Sequence, residues 1–236
     1  MTHHLPNRDI PADEKSIARP PAAAVIRRAL AQSRVVGIRL IGHPGSGKTE
    51  LLEATLKHLP SPKRVAVIVI NPASSRDVER LQPLCGFAAG IDSAIPDAAS
   101  VWHVISTLTL DLFDIVLIEA AGGLAPLNDL GQDKTVAVFS ISGGDDKAAE
   151  YHNLLSSASA ILLTKSDLRP LVKFDPEVFR RDLRAFNASA DVYETSARTR
   201  HGLTAWINWI DQMHATKRRR SAQPEPDESS AERFIG

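Results

Sequence analysis

An eight-residue stretch at 42–49, Gly-His-Pro-Gly-Ser-Gly-Lys-Thr, constrains the fold of this chain more than any other segment. It matches the phosphate-loop pattern of Gly, four variable residues, Gly, Lys and then Ser or Thr. The apolar, β-rich run at 35–41 before it predicts a buried strand. Leu51, Leu52 and Leu56 after it lie on one side of a predicted helix. Strand, glycine loop and helix in this order are what the motif requires.

The residue types of this loop predict that it binds a nucleoside triphosphate. Glycines let the backbone approach a ligand closely, and N–H groups at a helix start attract phosphate oxygens. We expect the ammonium of Lys48 beside the β- and γ-phosphates and the hydroxyl of Thr49 on Mg²⁺. The predicted phosphate-binding residues are Gly42, Pro44, Gly45, Ser46, Gly47, Lys48 and Thr49. The loop alone does not identify the base.

The composition narrows the class of protein. The chain has 236 residues, with 28 acidic and 28 basic side chains, so no net charge points to nucleic acid or a membrane surface. The single cysteine, Cys85, excludes an internal disulfide and suits a reducing compartment. The N-terminus lacks the apolar core of a signal peptide, and no apolar run is long enough to span a bilayer. We therefore predict a cytoplasmic protein that binds neither nucleic acid nor a membrane.

The chain divides into three predicted parts. Residues 1–20 are polar and proline-containing, which predicts a disordered arm, and the adjacent His3 and His4 within it are expected to be exposed. Residues 21–215 form the predicted nucleotide-binding domain. Residues 216–236 carry a basic cluster and then acidic residues and prolines, which predicts a disordered charged tail.

Strand and helix patterns alternate along the predicted domain. Apart from the strand before the phosphate loop, strands are predicted at 64–70, 114–119, 135–141, 160–164 and 191–194. Helices are predicted at 22–33, 49–56, 98–109, 146–157, 176–187 and 202–215. Residues 71–77 are predicted to form a loop, and 83–98 show no clear pattern. This alternation predicts an α/β fold with a doubly wound, mostly parallel sheet.

Residues after two of the predicted strands indicate which base is bound. An Asp carboxylate can accept hydrogen bonds from both N1–H and the exocyclic amine of guanine, whereas adenine offers no such pair on that edge. Asp167 is placed for this role, the Lys165 stem can cover the ring, and a backbone N–H near Ser196 can reach the guanine carbonyl. An ordinary helix-capping Asp is the alternative for Asp167. The predicted guanine-binding residues are Thr164, Lys165, Asp167, Ser196 and Ala197.

A carboxylate ends the strand predicted at 114–119. Glu119 is placed to hold Mg²⁺ through water, and Gly122 lets the backbone approach the γ-phosphate. This loop is therefore expected to respond to the presence of the γ-phosphate. The predicted catalytic residues are Lys48, Glu119 and Gly122, and the predicted Mg²⁺ ligands are Thr49 and Glu119.

From about residue 29 to 212 the chain resembles the GTPases that insert nickel during NiFe-hydrogenase maturation, the HypB type, which are relatives of the urease GTPase UreG. The segments that match are the phosphate loop at 43–49, Glu119-Ala120-Ala121-Gly122-Gly123, Asp129-Leu130-Gly131, residues 143–148, residues 164–170 and Phe174-Asp175. The resemblance implies a P-loop fold of the metallochaperone-GTPase type, slow hydrolysis of GTP to GDP and phosphate, and a GTP-dependent homodimer. It also implies a HypA-type nickel carrier and a metalloenzyme precursor as partners.

The chain departs from this family at its metal-binding residues. Asn71 stands where the family has an Asp that serves Mg²⁺, so Asn71 and Asp77 are further Mg²⁺ candidates. The family's Cys-His pair falls at residues 95–97, and its second-switch cysteine falls near Ala125 and Pro126. Cys85 and His103 do not fit the family spacing. Because nickel and zinc prefer thiolate and imidazole ligands, we expect nickel at most as cargo and no tight nickel or zinc site in residues 22–215.

Three other functions are compatible with these motifs. The first is a GTP-dependent assembly factor without hydrolysis, which Asn71 favours. The second is a P-loop small-molecule kinase, which needs an acceptor pocket and an arginine-rich lid. The third is an accessory GTPase for a different metalloenzyme or a cobalamin enzyme.

Overall fold

Seven strands and seven α-helices alternate in the residues that the computed structural model describes: 21–93, 97–120, 129–145 and 150–220, the side chain of Lys63 excepted. The strands are β1 (Val36–Ile41), β2 (Val65–Ile70), β3 (Phe87–Ile91), β4 (Ile115–Ala120), β5 (Lys134–Ser140), β6 (Ala160–Thr164) and β7 (Asp191–Glu194). The helices are α1 (Ala22–Gln32), α2 (Lys48–His58), α3 (Ser75–Leu81), α4 (Ala98–Ile105), α5 (His152–Leu155), α6 (Pro176–Arg184) and α7 (Leu203–Arg220).

The strands form one parallel sheet in the order β3-β2-β4-β1-β5-β6-β7. This confirms the predicted α/β fold with a doubly wound sheet. Because all strands run in the same direction, their C-terminal ends meet at one edge, where ligands of open α/β sheets bind. The strands β1, β4, β6 and β7, at or after whose ends the predicted site residues stand in the sequence, all end at that edge.

The core is built on both faces of the sheet. On one face, Ile38 and Leu40 of β1 pack in a cluster with α2 and with Trp206 of α7. The other face carries two clusters, one under α1 and α4 and one under α6. β1 is buried along its whole length, which explains its continuous apolar character and fixes the start of the phosphate loop.

The sequence patterns missed two adjacent elements, β3 and α3. β3 contains Ala88, Ala89 and Gly90, which have little intrinsic strand preference, and it forms by pairing with β2. α3 begins inside the stretch predicted as a loop at 71–77, where Ser74 and Asp77 form a capping box. A Cβ atom at Gly90 would lie 3.2 Å from Val78 of α3, so the small residue that weakens the strand pattern lets the helix pack closely.

The predicted helix ends were less accurate than the predicted strands. α4 ends at Ile105 rather than 109, and α6 ends at Arg184 rather than 187. α7 continues to Arg220, so the predicted end at 215 is wrong, and the first five residues of the predicted tail are helical. Lys217 of this extension donates to Asp133 Oδ2 at 2.5 Å, and this contact helps to hold the last turns against the sheet. The predicted arm and the rest of the tail lie outside the described residues.

Within the described ranges, no helix combines the length and the apolar character needed to cross a membrane.

Candidate nucleotide-binding site

The phosphate loop connects β1 to α2 at the C-terminal edge of the sheet. Gly45 and Gly47 have positive φ angles of 76° and 86°, a region that favours glycine. A Cβ atom at Gly42 would lie 2.2 Å from the carbonyl oxygen of Val138 in β5, so this position has no room for a side chain. α2 begins at Lys48, directly after the loop, so the positive end of the helix faces the same space.

Lys48 is held inside the loop that precedes it. Its side chain is 6% exposed, and its ammonium donates to the carbonyl oxygens of Gly42 at 2.9 Å and His43 at 3.2 Å. Burial lowers the pKa of Lys48, and the nearby charge of Glu119 opposes this shift. The ammonium is therefore fixed by the loop itself, at the position from which the motif predicts contact with phosphate.

A cleft of about 320 Å³ opens beside the loop. Its lining includes predicted phosphate-site, metal-site and base-site residues, namely Pro44, Gly45, Gly47, Lys48, Thr49, Asp77, Glu119 and Lys165. Arg80 also lines the cleft, and no sequence pattern pointed to it. The structure therefore brings residues that are far apart in sequence around one space.

Thr49 and Glu119 meet in this cleft. The Thr49 hydroxyl donates to Glu119 Oε1 at 2.8 Å. Glu119 is 2% exposed, and its second oxygen, Oε2, has no hydrogen-bond partner among the described residues. Burial raises the pKa of Glu119, although the Thr49 hydrogen bond and the Lys48 charge lower it. A buried carboxylate oxygen without a partner, next to a hydroxyl, fits the hard oxygen ligands that Mg²⁺ prefers.

The two further Mg²⁺ candidates differ in position. Asn71 has a left-handed φ of 50°, and its side-chain oxygen accepts a hydrogen bond from the Ser93 N–H at 2.8 Å. That oxygen joins the ends of β2 and β3, and Asn71 is not among the residues that line the cleft. Asp77 does line the cleft, and its charge contributes to the raised pKa of Glu119. Of the two, Asp77 is the candidate that the structure brings to Glu119.

The loop after β6 is tied to the phosphate loop. The buried Thr164 hydroxyl contacts the carbonyl oxygens of Ser46 and Phe139, the latter at 3.1 Å. Lys165 has a left-handed φ of 58°, and its ammonium donates to the Gly45 carbonyl at 2.8 Å. The predicted base side and the predicted phosphate side are thus parts of one connected site.

The carboxylate of Asp167 is held by the turn that follows β7. Ser196 Oγ donates to Asp167 Oδ1 at 2.6 Å, and Arg198 Nε donates to Oδ2 at 2.9 Å. These contacts, the Ser196 hydrogen bond first, lower the pKa of Asp167. The partners come from a different loop, unlike those of the helix-capping Asp considered as an alternative. The Ser196 N–H already donates to the His201 carbonyl at 3.0 Å, which moves the predicted backbone donor to Ala197.

Several residues that the sequence motifs or the family resemblance single out lie outside the described part of the chain. These are Gly122, Ile95, Pro96, Ala125, Pro126, Asp146 and Lys147.

Cys85 is buried beside α3, and its thiol contacts the carbonyl oxygens of Leu81 and Phe87. In the described ranges, no group of three or more His, Cys, Asp or Glu side chains is placed to hold a metal ion.

The fold and the site together define the class of this chain. A phosphate loop after the central strand of a parallel sheet, facing the carboxylate at the end of β4, is the arrangement of a P-loop nucleotide-binding protein. No protein-family model matches the chain.

Individual proteins and solved structures are similar to the chain. The chain is 32% identical over 187 residues to the hydrogenase maturation factor HypB of Azotobacter vinelandii, which covers 77% of this chain and 62% of that protein. It therefore spans less than two thirds of that relative's length. The solved structure of HypB from Archaeoglobus fulgidus has a TM-score of 0.75 at 27% identity, over 82% of this chain and 97% of the other. Over most of its length the chain is therefore similar to HypB-type hydrogenase maturation factors.

A second solved structure supports the fold. HypB from Helicobacter pylori, in complex with nickel, has a TM-score of 0.76 over 87% of this chain and 97% of the other, at 22% identity. At that identity the similarity concerns the fold.

Proposed function

We propose that this protein is a GTP-binding factor that hydrolyses GTP slowly and assists the assembly of a hydrogenase-type nickel enzyme. The observation that carries the proposal is the pairing of Thr49 with the buried Glu119, beside Lys48 in the phosphate loop. Similarity to hydrogenase maturation factors supports the accessory role.

The reaction is attack of water on the γ-phosphate of GTP. Lys48, fixed by the carbonyl oxygens of its own loop, stabilises negative charge that develops on the phosphates. Thr49 and Glu119 would hold Mg²⁺, which neutralises phosphate charge when bound, and Asp77 is a further candidate ligand. Gly122 keeps its predicted role in approaching the γ-phosphate. Turnover is expected to be slow because none of these residues acts as a general base for the attacking water.

Guanine selectivity rests on Asp167. Its carboxylate accepts from guanine N1–H and the 2-amino group, while the Lys165 stem covers the ring and the Ala197 N–H donates to the guanine carbonyl. The position of Asp167, at the end of β6 and next to the turn after β7, supports this assignment. Thr164 contributes by holding the phosphate loop to the same edge.

A second function is favoured by one observation. The Asn71 side-chain oxygen is used by the Ser93 N–H, and Asn carries no charge, so this chain lacks a carboxylate at the end of β2. This supports a factor in which GTP binding drives assembly and hydrolysis is vestigial. Measurement of GTP binding and of phosphate release on the same preparation separates the two functions, because the second predicts binding without release. Phosphate transfer to an added small-molecule acceptor would instead indicate a kinase.

The partners follow from the family. We propose a GTP-dependent homodimer, a HypA-type nickel carrier and a metalloenzyme precursor, with nickel held by a partner rather than by this chain. The cytoplasmic location predicted from the sequence belongs to the same proposal.

The test of the proposed site is Lys48→Ala. Removing a charged hydrogen-bonding group costs about 1.5–3 kcal/mol, so affinity for a fluorescent GTP analogue should fall about 10- to 100-fold. Lys57→Ala, in the last turn of the same helix, is the matched control and should bind normally. Circular dichroism establishes that both variants fold. Unchanged affinity in the folded Lys48→Ala variant would overturn the phosphate-loop assignment.

A further inference from the structure

The turn at residues 196–199 donates hydrogen bonds to both oxygens of the Asp167 carboxylate. Ser196 Oγ donates to Oδ1 at 2.6 Å, and Arg198 Nε donates to Oδ2 at 2.9 Å. Ser196 Oγ also accepts from the Thr199 N–H at 3.1 Å, which helps to direct its own hydrogen toward Asp167. Both contacts fix the carboxylate relative to one short piece of backbone.

Fold stability gives little reason for the Arg198 contact. The Arg198 side chain is 76% exposed, whereas that of Asp167 is 10% exposed. Ion pairs with an exposed partner contribute little to folding because water and salt screen them. Since Asp167 is the proposed base-recognition residue, the effect of Arg198 on the orientation of this carboxylate matters more than the energy of the pair.

The hydrogen-bond acceptor positions of the Asp167 carboxylate indicate why its orientation matters for guanine. An ionised carboxylate has about four acceptor positions, two on each oxygen. Ser196 uses one position on Oδ1 and Arg198 uses one on Oδ2, so these two side chains leave acceptor capacity on both oxygens. Guanine presents two donors on the relevant edge, N1–H and the 2-amino group. The remaining capacity is divided between separate oxygens, as a two-point contact requires.

We propose that Arg198 is a positioning residue that sets the plane of the Asp167 carboxylate for the two donors of guanine, and so determines selectivity for purines that carry the 2-amino group. This inference rests on the proposed GTP-binding function. Rotation about the last bond of an Asp side chain is soft. Ser196 alone holds one oxygen, and a second donor on the other oxygen removes the remaining rotation before the nucleotide arrives.

Loss of the Arg198 side chain should affect the binding of GTP and of inosine triphosphate differently. GTP needs an acceptor position on each oxygen, whereas inosine triphosphate lacks the 2-amino group and needs one. In the full chain, Arg198→Ala should weaken GTP binding about 3- to 10-fold, the range expected when one side chain loses its fixed geometry. Binding of inosine triphosphate should change less than about twofold, because a single hydrogen bond tolerates rotation. The dissociation constant for inosine triphosphate divided by that for GTP, both measured by displacement of a fluorescent nucleotide, should therefore fall.

Two further variants separate geometry from charge. Arg198→Lys keeps the positive charge but lacks the guanidinium Nε, so the ratio should stay as low as in Arg198→Ala. Arg200→Ala removes an arginine from the same exposed turn, and no Asp167 contact with that side chain occurs among the described residues, so the ratio should stay at the wild-type value. A wild-type ratio in Arg198→Ala, or tighter GTP binding, would overturn the inference. Tighter binding would mean that Arg198 competes with the base.

Asp167→Asn distinguishes failure of this inference from failure of the proposed function. If Asp167→Asn loses GTP and gains xanthosine triphosphate while Arg198→Ala behaves like the wild type, guanine recognition stands and Arg198 has no part in it. If neither variant changes the nucleotide preference, Asp167 is not the base-recognition residue, and the inference is overturned together with the guanine assignment.

Discussion

The hydroxyl of Thr49 and the carboxylate of Glu119 lie 2.8 Å apart, which joins the first turn of α2 to the end of β4. The contact uses Oε1 and leaves the buried Oε2 without a partner among the described residues. Without a cation the charged form of Glu119 is poorly compensated, and burial accordingly raises its pKa. If Mg²⁺ binds here as proposed, the pair would link occupation of the metal site to the protonation of Glu119.

The first prediction concerns stability against pH without Mg²⁺ or nucleotide. Because the pKa of Glu119 is raised in the folded protein, this residue favours folding at low pH. Its contribution is lost as the pH rises from the unfolded-state pKa, about 4.3, through the folded-state pKa. Glu119→Gln removes this dependence, so the variant should melt at a higher temperature than the wild type at pH 7 but not at pH 4. Thermal unfolding in a chelating buffer measures the difference.

Glu79→Gln, an exposed change on α3, is the control for that experiment and should follow the wild-type curve at every pH. The order of stability should reverse with Mg²⁺ and GTP present, because Glu119→Gln weakens the metal site. If the melting temperatures of wild type and Glu119→Gln changed with pH in parallel, ionisation of Glu119 would not destabilise the folded protein, and the prediction would be wrong.

The second prediction concerns the base. Asp167→Asn places an amide donor where guanine also offers a donor, whereas xanthine offers a carbonyl at that position. Preference should therefore shift from GTP to xanthosine triphosphate, with about 10-fold or greater loss for GTP, as expected for losing a charged hydrogen bond. Displacement of a fluorescent nucleotide by GTP, xanthosine triphosphate and ATP gives the order of affinities. GTP affinity equal to that of the wild type would remove Asp167 as the base-recognition residue.

The third prediction concerns self-association. The family resemblance places the surface around the switch loops and residues 143–147. Of these, Gly143 borders a cavity of about 240 Å³ with His43 and Tyr151, and Asp145 accepts from the Asp175 N–H at 3.0 Å. Light scattering should give the mass of a monomer with GDP and of a dimer with a non-hydrolysable GTP analogue. Asp145→Ala, which frees this loop from the start of α6, should weaken the dimer.

The matched change for this test is Asp182→Ala on α6, which removes an acidic side chain away from the predicted surface and should leave the dimer intact. Equal mass in the two nucleotide states would end the dimer hypothesis.

The fourth prediction concerns metal cargo. We expect no tight nickel or zinc site in residues 22–215, because the positions that match the family's ligands carry neither Cys nor His. Calorimetry with Ni²⁺ and Zn²⁺ on the full chain carrying His3→Ala and His4→Ala, in both nucleotide states, should give no submicromolar binding. Such binding would point instead to Cys85 and His103. For Cys85 to take part, its thiol would have to give up its contacts with the Leu81 and Phe87 carbonyls.

Much of the fold was predictable because the central strands are buried on both faces. β2 has the sequence Val-Ala-Val-Ile-Val-Ile, and a run of this kind leaves little choice besides the interior of a parallel sheet. β3 was not predictable, because Ala88, Ala89 and Gly90 become a strand through pairing with β2 and packing under α3. The helix ends depended on contacts such as Lys217 with Asp133, which no local pattern contains.

The site was predictable where a motif fixes the backbone and unpredictable where a side chain chooses between partners. The Gly-Lys-Thr step placed Lys48 and Thr49 because strand, loop and helix leave one geometry for them. The sequence did not distinguish Asn71 from Asp77 as candidate Mg²⁺ ligands. What separates them is the hydrogen bond that the Ser93 N–H donates to the Asn71 side-chain oxygen, which depends on the unpredicted strand β3. The contact of Arg198 was missed because its partner, Asp167, is 31 positions away in the sequence.

In the proposed site, the position of β1 between β4 and β5 places the groups for the phosphates and those for the base in different halves of the sheet. Glu119, the proposed metal ligand, belongs to the half that contains β4, while Asp167 and Arg198 lie beyond β6 and β7. Substitutions at Asp167 or Arg198 would therefore change the choice of base while leaving the proposed ligands of the metal and the terminal phosphate in place. Base selectivity and phosphate sensing could then change separately in evolution, with the glycine loop after β1 common to both.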